Sequence, residues 1–147
     1  MTYIIKSTDE LEELINNREY VDNLSIYMNE NISHLLCNLT DLKCLKFGFY
    51  YNQLTDLSYL SNLQCLKFGS QYNQDTKLSL LSNLEFGYHY NQPTDLLHCI
   101  NLHHLQFGHC YNQQTDLSKC VKLEKLDDTE IEELDLSTYR NGIFKKN

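Results

Sequence analysis

Leu42-Lys-Cys-Leu-Lys-Phe-Gly-Phe-Tyr-Tyr-Asn-Gln53 is followed 21 residues later by Leu63-Gln-Cys-Leu-Lys-Phe-Gly-Ser-Gln-Tyr-Asn-Gln74. Two further copies are Leu84-Glu-Phe-Gly-Tyr-His-Tyr-Asn-Gln92 and Leu102-His-His-Leu-Gln-Phe-Gly-His-Cys-Tyr-Asn-Gln113. The Phe-Gly pairs begin at Phe47, Phe68, Phe86 and Phe107, at steps of 21, 18 and 21 residues. The third unit has therefore lost three residues between Thr76 and Phe86. Each unit continues as Thr-x-Leu-x-x-(Leu or Cys) from Thr55, Thr76, Thr94 and Thr115. Self-similarity at a short fixed period marks chains that stack one small structural unit, none of which buries its apolar face alone.

Outward from these copies the pattern wears down. Val21, Leu24 and Ile26 stand 21 residues before Leu42, Leu45 and Phe47, and Asn31 stands 21 before Asn52. Leu123 and Leu126 match Leu102 and Leu105, but Asp128 replaces the Phe. Fading repeats at both ends are what capping units require. This divides the chain into an N-terminal cap at 1–20, a repeat region at 21–126, and a C-terminal cap and tail at 127–147. Ser7 to Ile15 reads as a capped amphipathic helix covering the first unit through Leu11, Leu14 and Ile15. Ile131, Leu134 and Leu136 read as a final degenerate strand, and Asn141 to Asn147 as a frayed tail.

Within a unit, Leu-x-x-Leu-x-Phe alternates apolar and polar residues at its end, which suits a short strand with one buried face. The Gly after it is expected to supply a backbone turn closed to other residues. Thr-Asp-Leu-Ser-x-Leu-Ser-Asn-Leu is apolar at every third position, the spacing of a 3-10 or irregular segment, with Thr-Asp as its start cap. The expected fold is a leucine-rich-repeat-type solenoid of the α/β class. It has short parallel strands on a concave face, 3-10 or irregular segments on the convex side and an N-terminal capping helix. Asn recurs at Asn31, Asn52, Asn73, Asn91 and Asn112. The expected role of this file is a ladder, each amide bonding backbone groups that the loop leaves unpaired. The Tyr file, Tyr51, Tyr72, Tyr90 and Tyr111, is expected in the core or stacked at its edge.

Leu-x-x-Leu-x-Phe resembles the strand motif of leucine-rich repeats. Phe-Gly-x-x-Tyr-Asn-Gln-x-Thr is closer still to FNIP repeats, a relative of the amoebal and giant-virus type, over roughly Leu36 to Leu126. Tyr90-Asn-Gln-Pro93 is the nearest match, whereas Leu54, Asp75 and Gln114 stand where that family has Pro. Asn52 lies five positions after Phe47, where ordinary leucine-rich repeats place their Asn three after the last strand residue. Members with an F-box recruit substrates to a ubiquitin ligase, so the resemblance implies a substrate-recognition adaptor as an alternative role. The roughly 20 residues ahead of the first unit are too few for that domain.

Composition narrows function further. Leu fills 26 of 147 positions and the hydrophobic fraction is 41%, enough for a real core. The net charge of −8, with acids gathered at Asp9–Glu19 and Asp127–Asp135, argues against a nucleic-acid partner, which needs clustered Lys and Arg. No apolar run is long enough to span a membrane, and Met1 to Glu13 lacks a signal-peptide pattern, so the expected location is cytoplasmic, in a host cell if the protein is viral. No Gly-rich phosphate loop, Gly-x-Ser-x-Gly or Cys/His pair of a known kind is present, and no enzyme activity or cofactor is expected. Six Cys are expected as free thiols. Cys99 and Cys120 stand at the buried Leu60 and Leu81 position, and Cys44 and Cys65 lie one unit apart.

What varies on the regular frame is the set of strand positions that face outward, together with the residues after the Gly. Phe49, Tyr50, Tyr88, His89, His103, His104 and His109 are the candidate contacts of a protein partner on the concave face, where aromatic groups carry most binding energy. A second alternative makes His89, His103, His104, His109 and Cys110 a metal site, although no ligand spacing of a zinc motif is present.

Overall fold

The computed structural model describes residues 1–78, 80–128 and 142–145. The fold is α/β, with a seven-stranded parallel sheet and few helices. The sheet strands are β1 (Thr2–Ile5), β2 (Asn23–Ile26), β3 (Cys44–Phe47), β4 (Cys65–Lys67), β5 (Asn83–Glu85), β6 (His104–Phe107) and β8 (Lys125–Asp128). They follow chain order across the sheet. The short β7 (Thr115–Asp116) pairs antiparallel with β9 (Ile143–Phe144). Ile131, Leu134 and Leu136, with the degenerate strand expected of them, lie outside the described residues. No helix among the described residues is long and apolar enough to cross a membrane.

Register follows the sequence period. Thr2, Asn23, Cys44, Cys65, Asn83, His104 and Lys125 stand side by side, so the 18-residue unit keeps its place in the sheet. Along each strand alternate residues turn inward. In β3, Leu45 and Phe47 are buried, while Lys46 is exposed and Cys44 half-buried. The return segments use backbone bonds three residues apart. Leu60 N–H donates to Leu57 carbonyl and Leu63 to Leu60, and the same pair recurs at Leu96–Cys99–Leu102 and Leu117–Cys120–Leu123. Such turns put every third side chain on one side, which is why the apolar period there is three. The start of these segments is held by Asp rather than Thr. The carboxylates of Asp56, Asp95 and Asp116 accept from the N–H groups of Ser58, Leu97 and Ser118. The Thr before each Asp turns inward instead.

The N-terminal helix is α1 (Thr8–Asn16), with the Ser7 hydroxyl accepting from Glu10 N–H and Leu11 and Leu14 buried in the common core. A second, short helix, α2 (Ser33–Leu36), opens the return segment of the next unit. The N-terminus is more than a helical cap: Tyr3 and Ile5 pair with Leu24 and Ile26, so β1 and α1 form one further unit of 21 residues.

Two ring files run through a core otherwise made mostly of Leu. Phe47, Phe68, Phe86 and Phe107 stack on one another with centroids 5.5, 5.7 and 5.8 Å apart. Tyr51, Tyr72, Tyr90 and Tyr111, all fully buried, stack beside them, each 3.8–4.1 Å from the Phe of its own unit. Each phenol is matched within its unit: Tyr51, Tyr72, Tyr90 and Tyr111 pair with the hydroxyls of Thr55, Thr76, Thr94 and Thr115. Burial pushes the Tyr72 phenol up to about 12. The tail completes the Phe file. Phe144 is 1% exposed and stacks on Phe107 at 5.2 Å, so residues 142–145 are docked rather than frayed. It supplies the ring that Asp128, in register with Phe107, does not.

The glycine after each Phe has a different reason from the one its sequence suggests. None of the described glycines has a positive φ. Instead a Cβ built on Gly69, Gly87 or Gly108 would lie 1.9, 1.9 or 1.8 Å from the carbonyl oxygen of the preceding unit's glycine. Backbone meets backbone there, and a side chain of any size forces the units apart. Gly87→Ala is expected to destabilise the fold by roughly 3 kcal/mol or more in a denaturant melt. Gly142→Ala, where a Cβ meets nothing within 4 Å, is expected to change stability by less than about 0.5 kcal/mol.

Candidate functional site

Two surfaces carry the sequence-predicted residues: the loop edge just beyond the Tyr file, and the outward face of the sheet. At the loop edge a side-chain carbonyl in each unit reaches the next. The Oδ1 atoms of Asn52, Asn73 and Asn91 accept from the N–H groups of Asn73, Asn91 and Asn112 at 2.9, 2.8 and 2.9 Å. The neighbouring Gln strengthens every rung. Gln74, Gln92 and Gln113 each donate from Nε2 to both the backbone and side-chain carbonyl of the Asn one unit back. Asn31 does not belong to this file. Its Oδ1 accepts from Ser33 N–H and its Nδ2 donates to Leu54 carbonyl. Asn29 takes the rung instead, bonding Asn52 N–H at 2.9 Å and Gln53 Nε2 at 3.2 Å. The loop of that unit is two residues shorter, so Asn29 lies three positions after Ile26 while Asn52 lies five after Phe47.

The sheet face is built from columns that the strand register fixes. One column runs Lys46, Lys67, Glu85, Gln106 and Asp127, and another Cys44, Cys65, Asn83, His104 and Lys125. Lys43 and Lys46 stand near the start, Lys67 pairs with Glu85 in the middle, and Glu124, Lys125 and Asp127 stand at the far end, where Lys125 meets Asp127. Two recesses of about 450 and 380 Å³ lie over these columns, the second bounded by Tyr27, Phe49, Ser70 and Tyr88.

The seven expected contact residues divide three ways. Phe49, Tyr50 and Tyr88 are 54%, 74% and 46% exposed. Phe49 packs edge-on against Tyr50, and Tyr88 edge-on against His89. His109 stacks on Tyr88, and Cys110 Sγ lies 3.9 Å from His89 Nδ1. His103 and His104 are turned toward β8. His104 Nε2 meets Asp127 Oδ2 at 3.0 Å and His103 Nδ1 meets Glu124 at 3.5 Å. The five residues named for a metal are thus not gathered into one set. No group of three or more His, Cys, Asp or Glu among the described residues is placed to hold an ion.

Asp127 is the most constrained charge on the face. It is 8% exposed, and its Oδ2 also takes Lys125 Nζ at 2.8 Å, while Oδ1 has no hydrogen-bond partner among the described residues. Burial alone would raise its carboxyl, but the hydrogen bonds from Lys125 and His104 outweigh that and hold it below the usual carboxylate range. The six cysteines are free. Burial pushes Cys99 up to about 12 and Cys120 to about 11, and burial with the neighbouring Cys65 thiol raises Cys44 to about 11. These are packing groups held as neutral thiols, not activated nucleophiles.

Sequence reasoning did not single out Asn29, Asp127 or the four glutamines at 53, 74, 92 and 113. The Gln signal was present, since Asn-Gln recurs in four units. The Asp127 signal was masked by the acid-rich end around it.

Asn73→Ala removes the acceptor for Asn91 N–H and for Gln92 and is expected to lower stability by roughly 1–3 kcal/mol, read from a denaturant melt. The depressed Asp127 carboxyl stabilises the fold above its unfolded value of about 3.9 and loses that contribution as pH falls through the lower folded value. The stability gap between wild type and Asp127→Asn, followed by melts from pH 7 downward, should therefore hold to about pH 4 and then narrow. A gap that widens below pH 4 refutes this assignment. No family model, curated protein or solved structure matches the chain.

Proposed function

We propose that this chain is a leucine-rich-repeat-type solenoid of the FNIP kind, and that it works as a non-enzymatic scaffold. Its outward sheet face, read as the concave side, binds a protein partner. The observation that carries this reading is the contrast between inside and outside. Inward positions repeat the same residue from unit to unit, Phe on Phe, Tyr on Tyr and Asn on Asn. Outward positions at the same register change residue at four of the six steps from β3 to β6, Cys44–Cys65 and Lys46–Lys67 being the exceptions. A frame held constant by packing, with variable side chains displayed on it, is how repeat proteins build extended binding surfaces. Exposed aromatic groups at Phe49, Tyr50 and Tyr88 suit partner contacts. The acids set among the lysines of the face suit a protein partner better than a phosphate backbone. The six free thiols fit a protein kept in the reducing cytoplasm.

Replacing Tyr88, His103 and His109 together by Ala is expected to reduce partner recovery in a pull-down from cell lysate by roughly tenfold or more, with an unchanged melting profile. Undiminished recovery moves the binding surface away from the sheet face.

A further inference from the structure

Beyond the glycine column runs a file of side chains one position further on: Phe49, Ser70, Tyr88 and His109. The backbone keeps them in consecutive units. Gln71 N–H donates to Phe49 carbonyl at 3.0 Å, His89 to Ser70 at 2.9 Å and Cys110 to Tyr88 at 2.9 Å. Where two rings fall in adjacent units they stack: Tyr88 and His109 have centroids 4.7 Å apart and planes 11° from parallel. Ser70 interrupts the file. It leaves Phe49 and Tyr88 two strand spacings apart, about 9.6 Å.

That separation is about twice the 4.7 Å at which Tyr88 and His109 stack. One planar ring placed above Ser70 would meet both neighbours at the spacing the file already uses, in the offset geometry that aromatic pairs favour. Phe49 and Tyr88 are posed alike for it. Each is braced edge-on by the next residue, Tyr50 at 4.8 Å and 74°, His89 at 4.9 Å and 70°. Both border a recess of about 380 Å³ that runs from Tyr27 to Gln106, with Ser70 and the backbone of Gly48, Gly69 and Gly87 in its lining.

Three charged side chains border the recess: Lys46, Lys67 and Glu85. Lys67 is neutralised by Glu85, whereas the exposed Lys46 has no carboxylate partner among the described residues and leaves one uncompensated positive charge there. We propose that the gap above Ser70 is a docking slot for one aromatic side chain of a partner protein, carried beside an acidic residue that meets Lys46. This rests on the scaffold reading and narrows it to a single anchoring contact, of the kind that dominates interface energy.

The test is a titration of the full-length, isotope-labelled protein with three capped tripeptide amides, Glu-Trp-Glu, Glu-Leu-Glu and Lys-Trp-Lys, followed by amide NMR signals. The expected result is saturable binding of Glu-Trp-Glu that shifts Phe49, Ser70 and Tyr88. The other two peptides should bind roughly tenfold more weakly or worse. Ser70→Phe fills the gap with a ring of its own and should lose Glu-Trp-Glu binding without lowering the melting temperature. If that variant does not fold, Tyr88→Ala, at an exposed position, must show the same loss. Equal affinity for the leucine and tryptophan peptides, equal affinity for the acidic and basic ones, absence of saturation, or binding unchanged in the variants overturns the slot. Those outcomes leave the scaffold reading standing as long as the triple Ala variant still loses its partner. A triple variant that keeps its partner sinks both readings, because Tyr88 is one wall of the slot.

Discussion

The buried Phe and Tyr rings of this protein each lie against their own counterparts one unit away. That self-contact can form only if neighbouring backbones approach to strand distance along the whole unit. The glycine column is where the approach is tightest, with carbonyl oxygen set against Cα in successive units. Strand spacing of about 4.8 Å also sets how rings can pack. Parallel rings on adjacent strands must slide past one another to fill that gap, which gives the 5.5–5.8 Å centroid separations of the Phe file. The Tyr rings then fit beside them at 3.8–4.1 Å within each unit. Dispersion contacts of this kind are small singly and large when repeated along a column.

Polar groups obey the same rule as the apolar ones. In the units from Asn52 to Asn112 the loop exposes the same N–H each time, and the same Asn carbonyl meets it. Gln adds two donors to each rung, and the Tyr–Thr hydroxyl pairs remove the one polar atom of the inner ring file from isolation. The rows of identical residues are therefore matched chemically as well as sterically. The outward face is released from this matching, and its residues diverge.

The period, the strands and the identity of the inner files were legible because each is a local pattern copied several times. The failures have physical reasons. Counting back 21 residues from Asn52 reaches Asn31, but the earlier loop is two residues shorter, and geometry selects Asn29. Thr2-Tyr-Ile-Ile5 was not read as a strand because it lacks the Phe-Gly mark, although its Tyr3 and Ile5 stand 21 residues before Leu24 and Ile26. The glycines suggest turns from sequence, since nothing local distinguishes a need for positive φ from a need for empty space. Phe144 was invisible for another reason: it lies outside the repeat, 37 positions from its partner Phe107. At the candidate site the exposed aromatic residues could be anticipated by elimination from the frame. The His104–Asp127–Lys125 cluster could not, because it joins columns across strands β6 and β8.

The 18-residue unit separates two halves of this design. Its strand and loop keep full register with both neighbours while its return segment is three residues shorter, and a cavity of about 610 Å³ opens beside Leu57, Leu78 and Leu81. Recognition between units thus resides in the strands, and both the outer half and, at Asn29, the loop tolerate variation in length. Whole modules joined through matching strands already share a compatible docking surface. Copy number can therefore grow or shrink by duplication and loss without inventing a new interface, each event lengthening or shortening the displayed surface by one strand.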